Sequence, residues 1–166
     1  EEIFTDKYGR VKVQFHWDRD SKADASSSCW IMVGQSTAGN QWGSISIPRV
    51  GQEVIVSFLE GDPDQPIIVG AVYNPGTMPP YSLPDNKTRT AFKSNSTPGG
   101  GGFNEIRFED KKGKEQIFIS GQKDYDLRVT NDYTEAILND KPMMVTTNLT
   151  EPVEADMNPT YAGAKN

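Results

Sequence analysis

A branched apolar residue returns every eight positions towards the end of this 166-residue chain. The residues in this series are Val129, Ile137, Val145 and Val153. Side chains on a β-strand alternate between its two faces, so an even repeat returns each position to the same face. We therefore predict that these four residues stack as one apolar column, which forms the core of the segment.

One branched residue in eight buries too little apolar area to hold a lone chain in order. Fixing the backbone costs about 1–2 kcal/mol per residue, and such sparse burial does not offset it. The simplest way to bury enough apolar area is for several identical chains to wind together, each forming one wall of a thin prism. The alternative is a disordered acidic tail with chance matches, and Pro142, Pro152 and Pro159 favour it because proline removes an N–H donor.

The first 74 residues have the pattern of short strands separated by turns. Apolar and polar residues alternate in GRVKVQFHW, as expected for a strand with one buried face. Four further strand candidates are CWIMVGQ, WGSISIP, GQEVIVSFLEG and IIVGAVYN. About five strands without a helix predict an all-β domain over residues 1–74. A five-stranded OB-fold barrel is the first choice, and an SH3-like barrel fits the same pattern.

The rest of the chain divides at a glycine run. Residues 75–102 are rich in Pro, Ser and Gly, which predicts an extended linker without a core of its own. Residues 103–166 hold the strand candidates NEIRFED, EQIFIS and DLRVTND, followed by the eight-residue repeat. A hinge, where the chain approaches its copies closely, is predicted at Gly99, Gly100, Gly101 and Gly102.

Charge and residue totals exclude several classes of function. A net charge of −6 makes nucleic acid or an anionic membrane surface a poor electrostatic partner. Nothing resembles a transmembrane run or a signal peptide. With one His and one Cys, a His/Cys metal cluster is impossible, and Cys29 has no partner for an intrachain disulfide.

No set of residues predicts catalysis, a cofactor site or a metal site. The stretch VGQSTAG lacks the second glycine of a nucleophile elbow around Ser36. The one histidine, His16, is placed on the polar face of the first strand candidate. Ordinary turn chemistry is the better interpretation of the closely spaced acidic residues, which are Asp18, Asp20, Asp24, Asp62 and Asp64.

Four long stretches occur in the order used by one protein family: DKYGRVKVQFHWDRD, IPRVGQEVIVSFLEGDPDQPIIVGAVYN, MPPYSLPDNKTRT and GGGGFNEIRFEDKKGKEQIFI. Over residues 6–140 the chain resembles VgrG, the valine-glycine repeat spike of bacterial type VI secretion systems, which is related to phage tail spikes. The resemblance implies an OB-fold followed by a trimeric, intertwined β-helical needle. It also implies a rigid, non-enzymatic homotrimer that punctures a target membrane by mechanical contact.

Partners and location follow from the same resemblance. A small cone-shaped protein would cap the needle tip, and a tail-tube protein would bind a base domain that family members carry before the OB-fold. That base domain is missing, so we expect a fragment or a minimal spike. Such a spike is assembled in the bacterial cytoplasm and then secreted or injected into a target cell.

A different class of function fits the barrel alone. An OB-fold binding module would take an oligosaccharide or a single-stranded nucleic acid, with Trp30, Trp42 and Tyr73 as stacking platforms. Salt-dependent affinity for a polyanion would favour this alternative, whereas the negative net charge disfavours it.

If the column faces the axis of a trimer, each substitution there acts three times at one level. Val129→Asp would place three like charges close together in a dry interior, at a cost of several kcal/mol per trimer, so thermal melts should show loss of the trimer. Thr130→Asp is the matched control, because its side chain should face outward and cost no more than about 0.5 kcal/mol. Equal melting temperatures for the two variants would mean that the column does not exist.

Overall fold

The computed structural model of the chain describes residues 1–155 and 157, and these are almost entirely β-structure and loops. The chain divides into two compact units, Glu1–Tyr125 and Asp126–Asn166. The first unit contains two three-stranded sheets. Its short 3-10 turn, Leu59–Gly61, is the one helical element in the described part of the chain. None of the described helices is long and apolar enough to cross a membrane.

The first sheet consists of β1 (Met32–Val33), β2 (Glu53–Phe58) and β3 (Pro66–Val72), in the order β1-β3-β2. β1 runs parallel to β3, and β2 runs antiparallel to it. The strand candidates GQEVIVSFLEG and IIVGAVYN are thus confirmed. A bulge shifts the register between Ile55 and Val56, which adds twist to the sheet at that point.

The core of the first unit lies beside this sheet. Val11, Ile31 and Ile68 are buried, and Val13 and Phe15 pack against them. The predicted alternation in GRVKVQFHW is therefore confirmed for its first three apolar residues. Residues of this stretch nevertheless pair only through one bridge, from Val11 to Ile31.

Two of the predicted strands are replaced by contacts between side chains and the backbone. The backbone N–H of Val13 donates to Ser28 Oγ at 2.9 Å. In WGSISIP, the Gln35 side chain takes both backbone groups of Ser46, accepting from its N–H at 2.9 Å and donating to its carbonyl at 3.1 Å. Polar side chains of this kind compete with strand ladders. Residues 1–74 consequently contain three strands.

The second sheet is an antiparallel meander of β4 (Arg89–Lys93), β5 (Glu105–Glu109) and β6 (Gln116–Ser120), in that order. β5 and β6 confirm the candidates NEIRFED and EQIFIS. β4 lies inside residues 75–102, where the sequence pattern predicts no strand. Pairing with β5 along its whole length stabilises β4 despite its Pro- and Gly-rich surroundings.

In the described residues of the second unit, the local backbone conformation recurs every eight residues. Bends recur at residues 130–131, 138–139, 146–147 and 154–155. The predicted strand DLRVTND is wrong for the single chain, because none of the strands described in it pairs with this stretch. The repeat of the sequence is thus also a repeat of the local structure over the described residues. Its continuation beyond residue 157 lies outside them.

Candidate functional site

The predicted column residues occupy equivalent places in the repeat. Each comes directly before a bend, and their exposed fractions are 45%, 49%, 46% and 48% for Val129, Ile137, Val145 and Val153. Apolar residues at other phases of the repeat stand further out, as Leu138 at 102% and Met144 at 89% show. The column therefore lies on the more sheltered side of the chain, and one chain alone leaves it half covered.

The backbone of this segment has no partner among the described residues of its own chain. Among residues 126–155 no backbone–backbone hydrogen bond forms, and every residue is exposed. In the single chain these exposed N–H and C=O groups can pair only with water, whereas strands of other chains would pair with them directly. A segment with this geometry fits strands of other chains better than it fits a monomer.

The second sheet exposes an apolar face. One cross-strand row joins Phe92, Ile106 and Ile119, and a second row joins Phe108 and Ile117. Their exposed fractions range from 38% for Phe108 to 78% for Phe92. We call these five residues the apolar face. A contiguous apolar patch on a sheet marks an interaction site, because a soluble monomer rarely exposes one.

The opposite face of the same sheet is charged and covered. The Glu105 carboxylate is buried and accepts a hydrogen bond from the Tyr81 hydroxyl. Arg107 donates from Nη1 to that hydroxyl at 2.9 Å and from Nη2 to Gln116 Oε1 at 3.0 Å. Its guanidinium also lies 4.4 Å from the centre of the Phe118 ring. Tyr81 thereby fastens the proline-rich segment before β4 to the charged face.

Glu109 fastens the end of that segment. Its carboxylate accepts hydrogen bonds from Thr88 Oγ1 at 2.5 Å, Arg89 Nε at 3.0 Å and the Lys111 backbone N–H at 3.0 Å. The Thr88 hydroxyl, and after it the Arg89 side chain, lower the pKa of Glu109 from 4.5 to about 2. Hydrogen bonds that favour the charged form explain this direction. The charged face is therefore held by an ionised carboxylate.

The four predicted hinge glycines lie in the loop between β4 and β5. The Ser96 backbone N–H donates to the Gly102 carbonyl at 2.8 Å and closes the loop at its base. A Cβ on Gly102 would lie 2.8 Å from Ser96 Oγ, so a larger residue would have to displace its neighbours. Left-handed φ angles of 83°, 69° and 88° occur at Gly99, Gly100 and Gly101. The hinge role of these residues stays a prediction.

The side chains of Glu2 and Arg49 anchor this loop through three hydrogen bonds. The Glu2 carboxylate accepts hydrogen bonds from Thr97 Oγ1 and from the Gly99 backbone N–H, both at 2.6 Å. Arg49 Nη2 donates to the Asn95 carbonyl at 2.8 Å. The Thr97 hydroxyl and the Gly99 N–H lower the pKa of Glu2. The loop is thus tied to the same unit that holds the first sheet.

The residues examined for catalysis are engaged in local contacts. The His16 side chain is 89% exposed and lies 3.6 Å from the Glu53 carboxylate. Ser36 Oγ lies 2.8 Å from Ser44 Oγ. The Asp62 carboxylate accepts hydrogen bonds from Gln65 and from the backbone of Asp64, as expected of a turn. Within residues 1–155 and 157, no group of three or more His, Cys, Asp or Glu residues is placed to hold a metal ion.

The three predicted stacking platforms differ in their surroundings. The Trp30 ring stacks on Phe4 with centroids 5.1 Å apart, so one of its faces is occupied. Trp42 and Tyr73 are exposed by 70% and 64%. A Cβ on Gly39 would overlap the Trp42 ring, which shows that this ring lies directly over the tip of its hairpin.

Two protein-family models match the chain, one on each part. Residues 4–73 match the type VI secretion system/phage-baseplate injector OB domain. Residues 90–166 match the C-terminal trimerisation domain of bacteriophage T4 gp5. The second match contains both the apolar face and the eight-residue repeat.

The curated relatives described next are named as VgrG proteins, two as type VI secretion spike proteins and one as a toxin. The chain is 59% identical over 143 residues to the type VI secretion system spike protein VgrG1b of Pseudomonas aeruginosa, a match that covers 85% of this chain and 19% of the relative. It is 53% identical over 145 residues to the spike protein VgrG3 of Vibrio cholerae, covering 87% and 14%. It is 52% identical over 145 residues to the actin cross-linking toxin VgrG1 of the same species, covering 87% and 13%. The chain thus spans about one-fifth or less of the length of these relatives.

The lowered pKa of Glu109 predicts an acid-sensitive contribution to stability. A carboxyl with a lower pKa in the folded state stabilises the fold above its unfolded pKa, and that contribution is lost as pH falls through the folded pKa. For Glu109 the window runs from pH 4.5 down to about 2. Thermal melts across this window should show a smaller loss of stability for Glu109→Gln than for the unsubstituted protein.

The control for this change is Asp110→Asn, which removes one acid from the next, exposed position. Its melts should follow those of the unsubstituted protein across the same window. If Glu109→Gln also keeps the unsubstituted slope, the cluster around Glu109 does not act as described.

Proposed function

This chain belongs to the VgrG family of type VI secretion spike proteins, and from that premise we propose that it is the OB-fold and needle part of a homotrimeric, membrane-puncturing spike. The action proposed is mechanical rather than enzymatic. Because the chain matches only a small part of each relative, the spike as a whole includes parts that these residues do not supply.

The observation that carries this proposal is the overlap of one family match with two uncovered surfaces. The trimerisation-domain match spans residues 90–166, and the apolar face and the eight-residue repeat both lie within that range. Neither surface is covered by the described residues of its own chain. A closed three-fold assembly would cover both with the same surfaces of identical copies.

We propose the domain division that the sequence pattern suggests. Residues 1–74 form the OB domain, residues 75–102 connect it and contribute β4, and residues 103–166 form the needle. The OB-domain match ends at residue 73, which supports the first border. In this proposal the first domain is a five-stranded barrel, whose remaining strands come from segments that the single chain pairs only through bridges.

The proposed needle resists force through its backbone. In an intertwined triple β-helix, each N–H and C=O of the repeat pairs with a neighbouring chain, so axial load is shared by many hydrogen bonds at once. Val129, Ile137, Val145 and Val153 would line the axis. No chain leaves such a structure alone, because its strands alternate with those of its partners.

Partners and location belong to the same proposal. The needle end would carry a small cone-shaped capping protein, and a base domain outside this chain would meet the tail tube. The trimer would be assembled in the bacterial cytoplasm, then secreted or injected, and would contact the target membrane mechanically. The matched stretch is a small part of the toxin-named relative, which supports placing any such activity outside these residues.

The OB-fold binding module is a weaker alternative. The exposed rings of Trp42 and Tyr73 favour it, but the stacking of Trp30 on Phe4 and the net charge of −6 do not favour a polyanionic ligand. No observation on the described residues singles out an oligosaccharide.

The test of the proposed function is the mass in solution, with one substitution on the apolar face. Sedimentation equilibrium should give about three times 18.4 kDa for residues 1–166. Ile106→Asp should dissociate the trimer, because it places a charge in each copy of the covered face. Lys112→Asp, in the exposed turn between β5 and β6, is the matched control and should leave the mass unchanged. A clean monomer of the unsubstituted chain at tens of micromolar, with an ordered repeat, would overturn the proposal.

A further inference from the structure

One ion pair bridges a bend of the repeat. Glu135 and Lys141 flank the bend at residues 138–139, and Lys141 Nζ contacts the Glu135 carboxylate. Side chains that start on opposite arms of a bend meet only on its inner side. This contact therefore places both charged groups on the inside of the bend.

The strand parity gives the same assignment independently. Glu135 comes two residues before Ile137, and Lys141 comes four residues before Val145. In the proposed needle the stretch between two bends is a strand, and even spacing along a strand keeps side chains on one face, so each charged residue shares the face of a column residue. Their side chains are 35% and 52% exposed in the single chain.

Apolar residues occupy the equivalent positions at the neighbouring bends. Leu127 and Tyr133 flank the bend at residues 130–131, and Met143 and Leu149 flank the bend at residues 146–147. All four apolar residues are exposed in the single chain, with exposed fractions of 60%, 64%, 60% and 59%. The ion pair thus flanks one bend, and apolar pairs flank the bend before it and the bend after it.

The column alone does not define how the chains are aligned. It presents Val, Ile, Val and Val at successive levels, so a chain that slips by eight residues meets nearly the same column. A level with a distinct chemistry removes this ambiguity, as single buried polar residues fix register in coiled coils.

We propose that Glu135 and Lys141 form an internal ionic layer that sets the register of the three identical chains. The inference rests on the proposed trimer, whose symmetry brings three copies of the pair together. In register, every carboxylate has an ammonium partner inside the needle. A slip of eight residues would set the charged level of one chain against the apolar level of another, and buried charges without matched surroundings are strongly unfavourable.

The charges around the pair are consistent with this role. The Glu135 carboxylate raises the pKa of Lys141, first through their hydrogen bond and then through its charge. Tyr133 and Glu151 act in the same direction with smaller effect. Lys141 therefore keeps its positive charge at neutral pH.

The first test asks whether the pair is inside. The trimer is isolated at its sedimentation mass and treated with an amine-reactive acetylating ester, and the modified lysines are mapped by mass spectrometry. Lys141 should be protected, whereas Lys123, with a side chain 89% exposed, should be modified. A trimer in which Lys141 reacts as readily as Lys123 would overturn the ionic layer but not the trimer. A monomer before labelling would overturn the proposed trimer itself.

The second test asks whether the pair sets the register. A spin label on Thr130→Cys, in a Cys29→Ser background, reports distances between copies by pulsed electron resonance. The unsubstituted pair should give the single distance of three-fold symmetry. The double variant Glu135→Met with Lys141→Leu copies the apolar pair of the next bend, and it should keep the trimer but show additional distances from slipped chains. A single, unchanged distance in the double variant would overturn the register role.

A single substitution shows whether the two charges depend on each other. Lys141→Met leaves three carboxylates without partners and should lower the melting temperature of the trimer more than the exposed control Lys123→Met does. Restoring the apolar pair with Glu135→Met should recover the loss. If Lys141→Met melts with the control, the pair is not internal.

Discussion

The backbone of residues 126–155 pairs with no described residue of its own chain, and the proposed assembly follows from this constraint. An ordered chain leaves few N–H and C=O groups without partners, because each buried group without a hydrogen bond to protein or water costs free energy. These residues form no backbone hydrogen bond with one another, yet their bends recur every eight residues. The exposed fractions of the column residues are also nearly equal from one repeat to the next. A regular segment that does not satisfy its own backbone supports the proposed assembly with neighbouring copies, on which the proposed mechanical function rests.

The second sheet shows how a neighbouring element prepares such an assembly. Tyr81 and Thr88 cover the charged side chains of β5, so Ile106 and Phe108 are turned outward. Glu105 is buried on this face, and its carboxylate accepts a hydrogen bond from Tyr81 and lies 3.8 Å from Arg107 Nη1. The proline-rich segment before β4 therefore has a structural consequence: it determines which face of the sheet remains available to partners.

Sequence patterns predicted where several strands lie better than they predicted which side chains cover the faces of those strands. Strict alternation identified β5, but alternation alone does not state which face is covered, and here the charged face is inside because Tyr81 lies over it. β4 escaped detection because five residues between Ser-, Pro- and Gly-rich stretches carry little periodic signal and depend on pairing with β5. In the first unit, Gln35 and Ser28 took backbone groups that a strand would have used, which no periodicity reveals. The eight-residue spacing was predictable, because bends and column residues follow one another along a short stretch of chain.

In the proposed trimer, the repeat finds its backbone partners on other copies of the chain. Amide hydrogen exchange of residues 126–155, followed as the protein is diluted through its dissociation, tests it most directly, with the amides of β5 as an internal reference within one chain. We expect slow exchange of the repeat in the assembled protein and rapid exchange after dissociation, because paired amides exchange only when the structure opens. Rapid exchange of the repeat in the assembled protein, with β5 still protected, would contradict it.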